Sequence, residues 1–308
     1  MMRGVLAVGF AAVLALLTVR ATTQQKLVPE PMRIEKVKDN LFVVRGPFNP
    51  CAPNGCRPSS IDDGLLHEAG DVAVRVTSEG VILVDDKFAQ HVPDVLAKVK
   101  SVTAQPIKYM LNTHHHADHV GGDGEIQSLG IEIIAHRNIR ENILKNKQPG
   151  APHIVFSDQA EVHLGGVGVQ LKYLGRGHTN GDTVIYFPDL KTIHSGDLVI
   201  DGMPVIDYAN GGSALAFVTT LKKMLEIDFD TVIPGHGRIL NRDFVRDYIP
   251  KMETMNQRMA DLVKRHVAKD QLEKELKLDD IGWAHTVSTG TFMSSIGQYY
   301  DEVAAVAK

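Results

Sequence analysis

Asn112-Thr113-His114-His115-His116-Ala117-Asp118-His119 is the stretch on which the reading of this chain turns. Four histidines and a carboxylate fall within six residues, directly after the run Ile107–Leu111, which reads as a buried strand. A hydrophobic core has no use for so many imidazoles together, because polar groups buried without partners are costly. Alternate residues of an extended segment point the same way, so His114 and His116 can aim at one point. Asp118 and His119, two and three positions on, can serve a second point a few ångströms away. Neutral imidazole and carboxylate are good zinc ligands, and two metals about 3.5–4 Å apart form a recurring hydrolytic device. The alternative is a solvated His-rich tract that binds metal only incidentally. Other segments that supply further ligand types weigh against it.

Those segments lie on both sides. Val81-Ile82-Leu83-Val84-Asp85 is an early strand ending in aspartate, and Gly177-His178-Thr179-Asn180-Gly181-Asp182 is a later histidine loop. Ser195-Gly196-Asp197-Leu198 and Pro234-Gly235-His236-Gly237 complete the set. With the His-x-His-x-Asp-His core, these motifs resemble in type and order those of the metallo-β-lactamase superfamily. The five span Val81 to Gly237, and a weaker resemblance extends over most of the chain after its first residues.

The resemblance implies an α/β fold, the four-layer αββα sandwich, with metals at one edge. It assigns His114, His116 and His178 to a first zinc and Asp118, His119 and His236 to a second. Asp197 would bridge them with its two oxygens. For Asp85 two readings stand: a turn or cap carboxylate, or an acceptor that supports the ligand loop from behind. Asp86-Lys87 follows where many relatives have Thr-Gly. Asn210, in Ala209-Asn210-Gly211-Gly212, is either a loop residue near the substrate, as the resemblance suggests, or a simple turn former.

The implied chemistry is that of a metal-dependent hydrolase. Water held between two dications is acidified toward neutrality, and the hydroxide attacks the carbonyl of a small ester, thioester, lactone or lactam. Asp118 would be catalytic as well as a ligand, orienting the nucleophile. True β-lactamases of the subclass this loop order most resembles carry cysteine in place of Asp197 and lysine three residues later. Here that later position is Ile200, which removes a charge-assisted contact to the drug's carboxylate. The aspartate bridge is more similar to glyoxalase II and other thioester, ester or lactone hydrolases. Antibiotic hydrolysis is the alternative. Outside the hydrolases stand an iron-dependent, persulfide-dioxygenase-like oxidoreductase and a non-catalytic zinc-binding protein.

Farther out, composition sets bounds. A chain of 308 residues with 44% hydrophobic and 23% charged residues has the make-up of a soluble globular protein. Its formal charge of -4 and the lack of a basic stripe argue against a nucleic-acid partner and for a small-molecule substrate. Residues 1–21 read as a signal peptide: Arg3, then the uncharged run Val5–Leu17, then Val19-Arg20-Ala21 as a cleavage site. The run is short of the roughly 20 residues a span needs, so no stable membrane anchor is expected, although an uncleaved anchor is the alternative. Loss of Arg3 and Arg20 would take the charge from -4 to -6. The protein is therefore expected to be periplasmic or secreted. In such a compartment Cys51 and Cys56, around the turn-rich Ala52-Pro53-Asn54-Gly55, could form a small disulfide; a metal or redox pair is the competing reading, against which the absent C-x-x-C spacing speaks.

Residues 22–308 are expected to be one metallo-β-lactamase domain with a helical extension from about 243. Strands are predicted over Ile34–Val37, Leu41–Arg45, Val72–Val76, Val81–Val84, Ile131–Ala135, Glu161–Leu164, Val167–Tyr173, Thr183–Phe187, Lys191–His194 and Thr231–Ile233. Helices are predicted over His91–Val99, around Ile126 and Leu129, over Arg137–Lys147, and from the cap Ser213 to about Ile227. Met252, Met255, Met259, Leu262 and Val263 recur at helical spacing and read as core, as do Ile296, Tyr299, Tyr300 and Val303. Trp283 is expected to pack under a loop; a place at the border of the active site is the alternative. His115 should point away from the ligands beside it, while His67 and His153 sit in loops that could line a pocket.

Overall fold

The computed structural model describes residues 31–46, 69–283 and 289–307. The expected leader at 1–21, the Cys51–Cys56 pair and His67 lie outside the described residues.

Two sheets organise the chain. The first runs β1 (Arg33–Lys38), β2 (Leu41–Arg45), β3 (Val72–Val76), β4 (Val81–Val84), β5 (Ile107–Leu111), β6 (Glu132–His136) and β7 (Ile154–Phe156), in that spatial order. The second is ordered β13 (Leu240–Asn241), β12 (Thr231–Ile233), β11 (Thr192–His194), β10 (Thr183–Phe187), β9 (Val167–Tyr173) and β8 (Gln159–Leu164). Each begins as an antiparallel meander and turns parallel where a helix crosses over, at β4–β5 through α1 (Val92–Val102) and at β11–β12 through α5 (Ala214–Met224). Between them come α2 (Ala117–Val120), α3 (Asp123–Ser128) and α4 (Arg137–Lys145). After β13 the chain is helical: α6 (Arg242–Lys264), α7 (Leu272–Glu275), α8 (Thr289–Ser294) and α9 (Ile296–Val306). No helix among the described residues is long and apolar enough to cross a membrane.

Strand periodicity sorts the side chains into three cores. Val72, Val74, Val81, Leu83 and Met110 meet Val92, Val95 and Val99 of α1 and Ile126 of α3 on the outer face of the first sheet. Their alternates Ala73, Ile82, Val84 and Leu111 face inward, against Val169, Leu171, Ile185, Phe187 and Ile233 of the second sheet. The other face of that sheet, through Val184, Ile193 and Val232, packs on Phe217, Leu221, Met252, Met255, Met259 and Tyr299 of the helices. Three apolar slabs separate four layers, which is the αββα sandwich. Burying one such side chain stabilises by roughly 1.5–3 kcal/mol, so strands apolar on both faces are held from both sides.

The same pairing places the loops. Parallel β4 and β5 end together at Val84 and Leu111, so Asp85 and the 112–119 loop leave the sheet side by side. Parallel β11 and β12 end at His194 and Ile233, releasing the Asp197 and His236 loops at one edge. The Thr183 amide donates to the Thr113 carbonyl at 2.8 Å, joining the two edges. Ligand sites of α/β sheets form at such carboxyl ends.

Candidate metal centre

All seven expected ligands fall into two groups, each with one ligand atom per residue within 4.8 Å of the others: His114, His116, His178 and Asp197, then Asp118, His119 and His236; His115, His116 and Asp207 form a further group beside the first. Asp197 spans both. Its Oδ2 lies 3.6 Å from His178 Nε2 and 4.0 Å from His114 Nε2, while its Oδ1 lies 3.2 Å from His119 Nε2 and 3.4 Å from His236 Nε2. Asp118 Oδ2 stands 3.2 Å from His236 Nε2 and 3.6 Å from His119 Nε2. Gly235 makes room for the shared carboxylate, since a Cβ there would sit 1.9 Å from Asp197 Oδ1.

The outward-facing ring atoms are fixed from behind. Asp85 takes the Thr113 amide at 2.8 Å on Oδ1, and the Thr113 hydroxyl at 2.7 Å and His119 Nδ1 at 2.8 Å on Oδ2. The Thr113 hydroxyl is in turn 3.1 Å from His114 Nδ1. Asp85 itself has a φ of 62°, an unfavourable backbone for a residue with a Cβ, sustained by these three bonds. His178 Nδ1 donates to the Val205 carbonyl at 2.8 Å, and His116 Nε2 lies 2.8 Å from Asp207 Oδ2. With those protons committed outward, the inward nitrogens present lone pairs.

Ring nitrogens then face each other. His116 Nδ1 and His178 Nε2 are 2.9 Å apart, and His119 Nε2 and His236 Nε2 are 3.2 Å apart. His114 Nε2 and Asp197 Oδ1 are buried with no hydrogen-bond partner among the described residues. Such convergence is repulsive unless a proton or a cation lies between, so the donor set fits a metal. Electrostatics agrees. Burial holds His114 well below the ordinary imidazole value and His178 at about 4, keeping both in the neutral, ligating form. Burial also opposes charge on His119, but Asp118, Asp197 and Asp85 outweigh it and lift the ring to about 10. His236 is raised in the same way, against burial, by Asp197 and Asp118. The space between these carboxylates favours positive charge.

The sequence profile of the metallo-beta-lactamase superfamily matches residues 72–236, more than half of the chain. The chain belongs to the metallo-β-lactamase superfamily. Among curated relatives, the alpha subunit of 2,4-dinitroanisole O-demethylase from Nocardioides sp. (strain JS1661) is 27% identical over 148 residues, covering 47% of this chain and 45% of that one. A type 2 metallo-β-lactamase of Elizabethkingia meningoseptica is 28% identical over 180 residues, covering 56% of this chain and 64% of its own. The chain thus spans between 45% and 64% of those two relatives' length. A solved metallo-β-lactamase from Pontibacter korlensis superposes with a TM-score of 0.62 at 18% identity, over 72% of this chain and 99% of that one. At that identity the likeness is one of fold. Members of this superfamily are largely metal-dependent hydrolases, and candidate His and Asp metal sites are present here.

Around this superfamily centre the remaining sequence candidates are placed as follows. His115 turns away from the pair: its Nδ1 is 3.4 Å from Asn142 Nδ2 and its Nε2 3.6 Å from Asp207 Oδ2. Asn210 donates from Nδ2 to Asp207 Oδ2 at 2.6 Å and accepts from Lys145 on Oδ1 at 3.1 Å. His153 is exposed just ahead of β7. Trp283 is buried against Tyr248, with ring centroids 5.1 Å apart. His116, Asp118 and His236 keep 29%, 22% and 22% of their side chains exposed, which opens the centre to solvent.

Asp207 is the residue that sequence reasoning missed. Its carboxylate holds His116 and Asn210 together and takes the Asn210 amide at 3.1 Å. That loop is itself pinned by the last helix: Glu302 accepts from the Tyr208 hydroxyl at 3.1 Å, the Ala214 amide at 3.1 Å and the Ser213 hydroxyl. The signal was an aspartate three residues before an Asn-Gly-Gly turn, an arrangement that favours side-chain capping of the turn.

Proposed function

We propose that the protein is a zinc-dependent hydrolase in which water adds to the carbonyl carbon of a small ester, thioester, lactone or lactam and the acyl C–O, C–S or C–N bond breaks, its heteroatom taking up the proton. The observation that carries this reading is the single carboxylate of Asp197, presenting one oxygen to each of two histidine clusters. When bound, a zinc pair supplies Lewis acidity that lowers the pKa of water and polarises a carbonyl. His114 Nε2, His116 Nδ1 and His178 Nε2, with Asp197 Oδ2, would hold one ion. Asp118, His119 Nε2, His236 Nε2 and Asp197 Oδ1 would hold the other.

The chain's own residues do the rest. Asp85, Asp207 and the Val205 carbonyl keep the imidazole protons on the outward nitrogens, so the inward ones are available without rearrangement. Asp118, a partly exposed carboxylate of the second group, orients the attacking water. Ile200, buried at 5% exposure, places no cation for a substrate carboxylate at that position, which favours uncharged esters, thioesters or lactones. Lactam cleavage is the second reading, supported by the metallo-β-lactamases among the curated relatives. We place the enzyme outside the cytoplasm on its N-terminal sequence, acting on a dissolved small molecule.

The test is a panel of lactam, lactone, thioester and phosphoester substrates offered to zinc-loaded protein, with Asp118→Asn as control. Wild type turns over at least one carbonyl substrate, and Asp118→Asn loses that activity by about 10²-fold or more while keeping its fold. Equal turnover by both proteins across the panel refutes the mechanism.

A further inference from the structure

Lys87 is fully buried, an unusual state for a lysine, and none of the steps above uses it. Its φ of 70° turns the chain straight after Asp85-Asp86. Its ammonium donates to the Ala69 carbonyl at 3.0 Å and to the Gly70 carbonyl. Burial lowers its pKa to about 8, while Asp71 and Asp118 hold it up.

The segment that it grips touches Asp118 and His119 of the second group and the residue before His236. The Gly70 amide donates to the Asp118 carbonyl at 3.0 Å. The Gly70 Cα lies flat on the His119 ring, where a Cβ would come within 2.2 Å of Cε1 and 2.5 Å of Nδ1 and Nε2. The Asp71 amide donates to the Gly235 carbonyl at 2.7 Å, one residue before His236. On its other side, Lys87 pairs through its backbone with Val120, and the Asp86 amide donates to the His119 carbonyl at 2.7 Å. The side chain therefore ties the 69–71 segment to the strand end and helix that carry Asp118 and His119.

We infer that Lys87 is a positioning residue for the second metal: by clamping the Ala69 and Gly70 carbonyls it sets the backbone floor against which Asp118, His119 and His236 converge. The inference rests on the two-centre reading above. None of the three histidines of the first group contacts this floor through the bonds described, and Asp197 meets it only indirectly, across Gly235 and through His194, so loss of the clamp should weaken the second site more than the first.

The experiment is stepwise loading of metal-free protein with Zn²⁺ under chelator competition, and with Co²⁺ followed by its visible spectrum. The parent binds two ions per chain; fewer than two overturns the two-centre reading, and this inference with it. Lys87→Met removes the donors at nearly constant volume. It should weaken the second Zn²⁺ by about 10-fold or more while the first stays within about threefold, as for removal of other supports behind a metal ligand. A merely structural role lowers thermal stability and moves both affinities together. Lys87→Gln, which keeps donors without the charge, provides the same measurement should the methionine variant not fold, and is expected to fall between the two. A variant that binds both ions with the parent's affinities, or loses both equally, overturns the inference.

Discussion

Asp85→Asn isolates the role of one buried carboxylate, because the side chain keeps its size. The amide oxygen can still take the Thr113 amide, which now bonds Oδ1 at 2.8 Å. Its nitrogen, in the place of Oδ2, meets two donors, the Thr113 hydroxyl and His119 Nδ1. The hydroxyl can rotate to accept. The imidazole can accept only by moving its proton to Nε2, the atom 3.2 Å from both Asp197 Oδ1 and His236 Nε2. A hydrogen bond to a charged group contributes about 1.5–3 kcal/mol, and the wrong tautomer must be corrected before a metal binds. The second zinc should therefore weaken by about 10–100-fold, or about 1.4–2.7 kcal/mol. The first zinc, reached from Asp85 only through Thr113 and His114, should weaken less. Chelator competition on the two proteins, with thermal melts to confirm folding, reads both affinities. If both ions bind Asp85→Asn within about twofold of the parent, the carboxylate does not set the tautomer and the reasoning fails.

Three further outcomes follow from other contacts. Asp207→Ala removes the acceptor on His116 Nε2 and should weaken the first zinc by about 10-fold while sparing the second, again by chelator competition. Phe187→Ala empties a fully buried position between the sheets and should cost about 3–5 kcal/mol in urea unfolding. Burial lowers the pKa of His136, which stacks on Tyr173 at 4.1 Å and donates to the Ser157 carbonyl. The unfolded chain then binds the extra proton, so this stability is complete above the ordinary value of 6.5 and is lost as pH falls below it. His136→Gln should flatten that decline in acid melts.

Much of the fold was legible because its strands are apolar on both faces and bounded by turn residues, as at Val81–Val84 and Thr183–Phe187. Two strands were not. Ile154–Phe156 is a half-exposed edge and Leu240–Asn241 spans two residues, both too short to show a period. The helix at Ser213 was read about three residues too long, since Leu225 and Ile227 continue the apolar spacing after the helix has ended. The ligand loops were readable from their histidines. What supports them was less so. Asp85 stood out only because it ends a strand, and whether it capped a turn or braced the loop needed the distances to Thr113 and His119. Asp207 carried a local turn signal through Asn210, but its hold on His116, 91 residues away, and the grip of Lys87 on Ala69 and Gly70 depend on tertiary contacts that no local pattern encodes.

The two imidazoles that face each other from His119 and His236 come from positions 117 residues apart. Until both sheets have docked, a partly made chain offers the HHHADH loop alone, a loose ion trap of ordinary affinity. Contacts of such long separation form late and slow folding. On the proposed two-metal reading, tight loading would belong to the finished protein, and the ion would act as a last rivet, not as a seed for assembly.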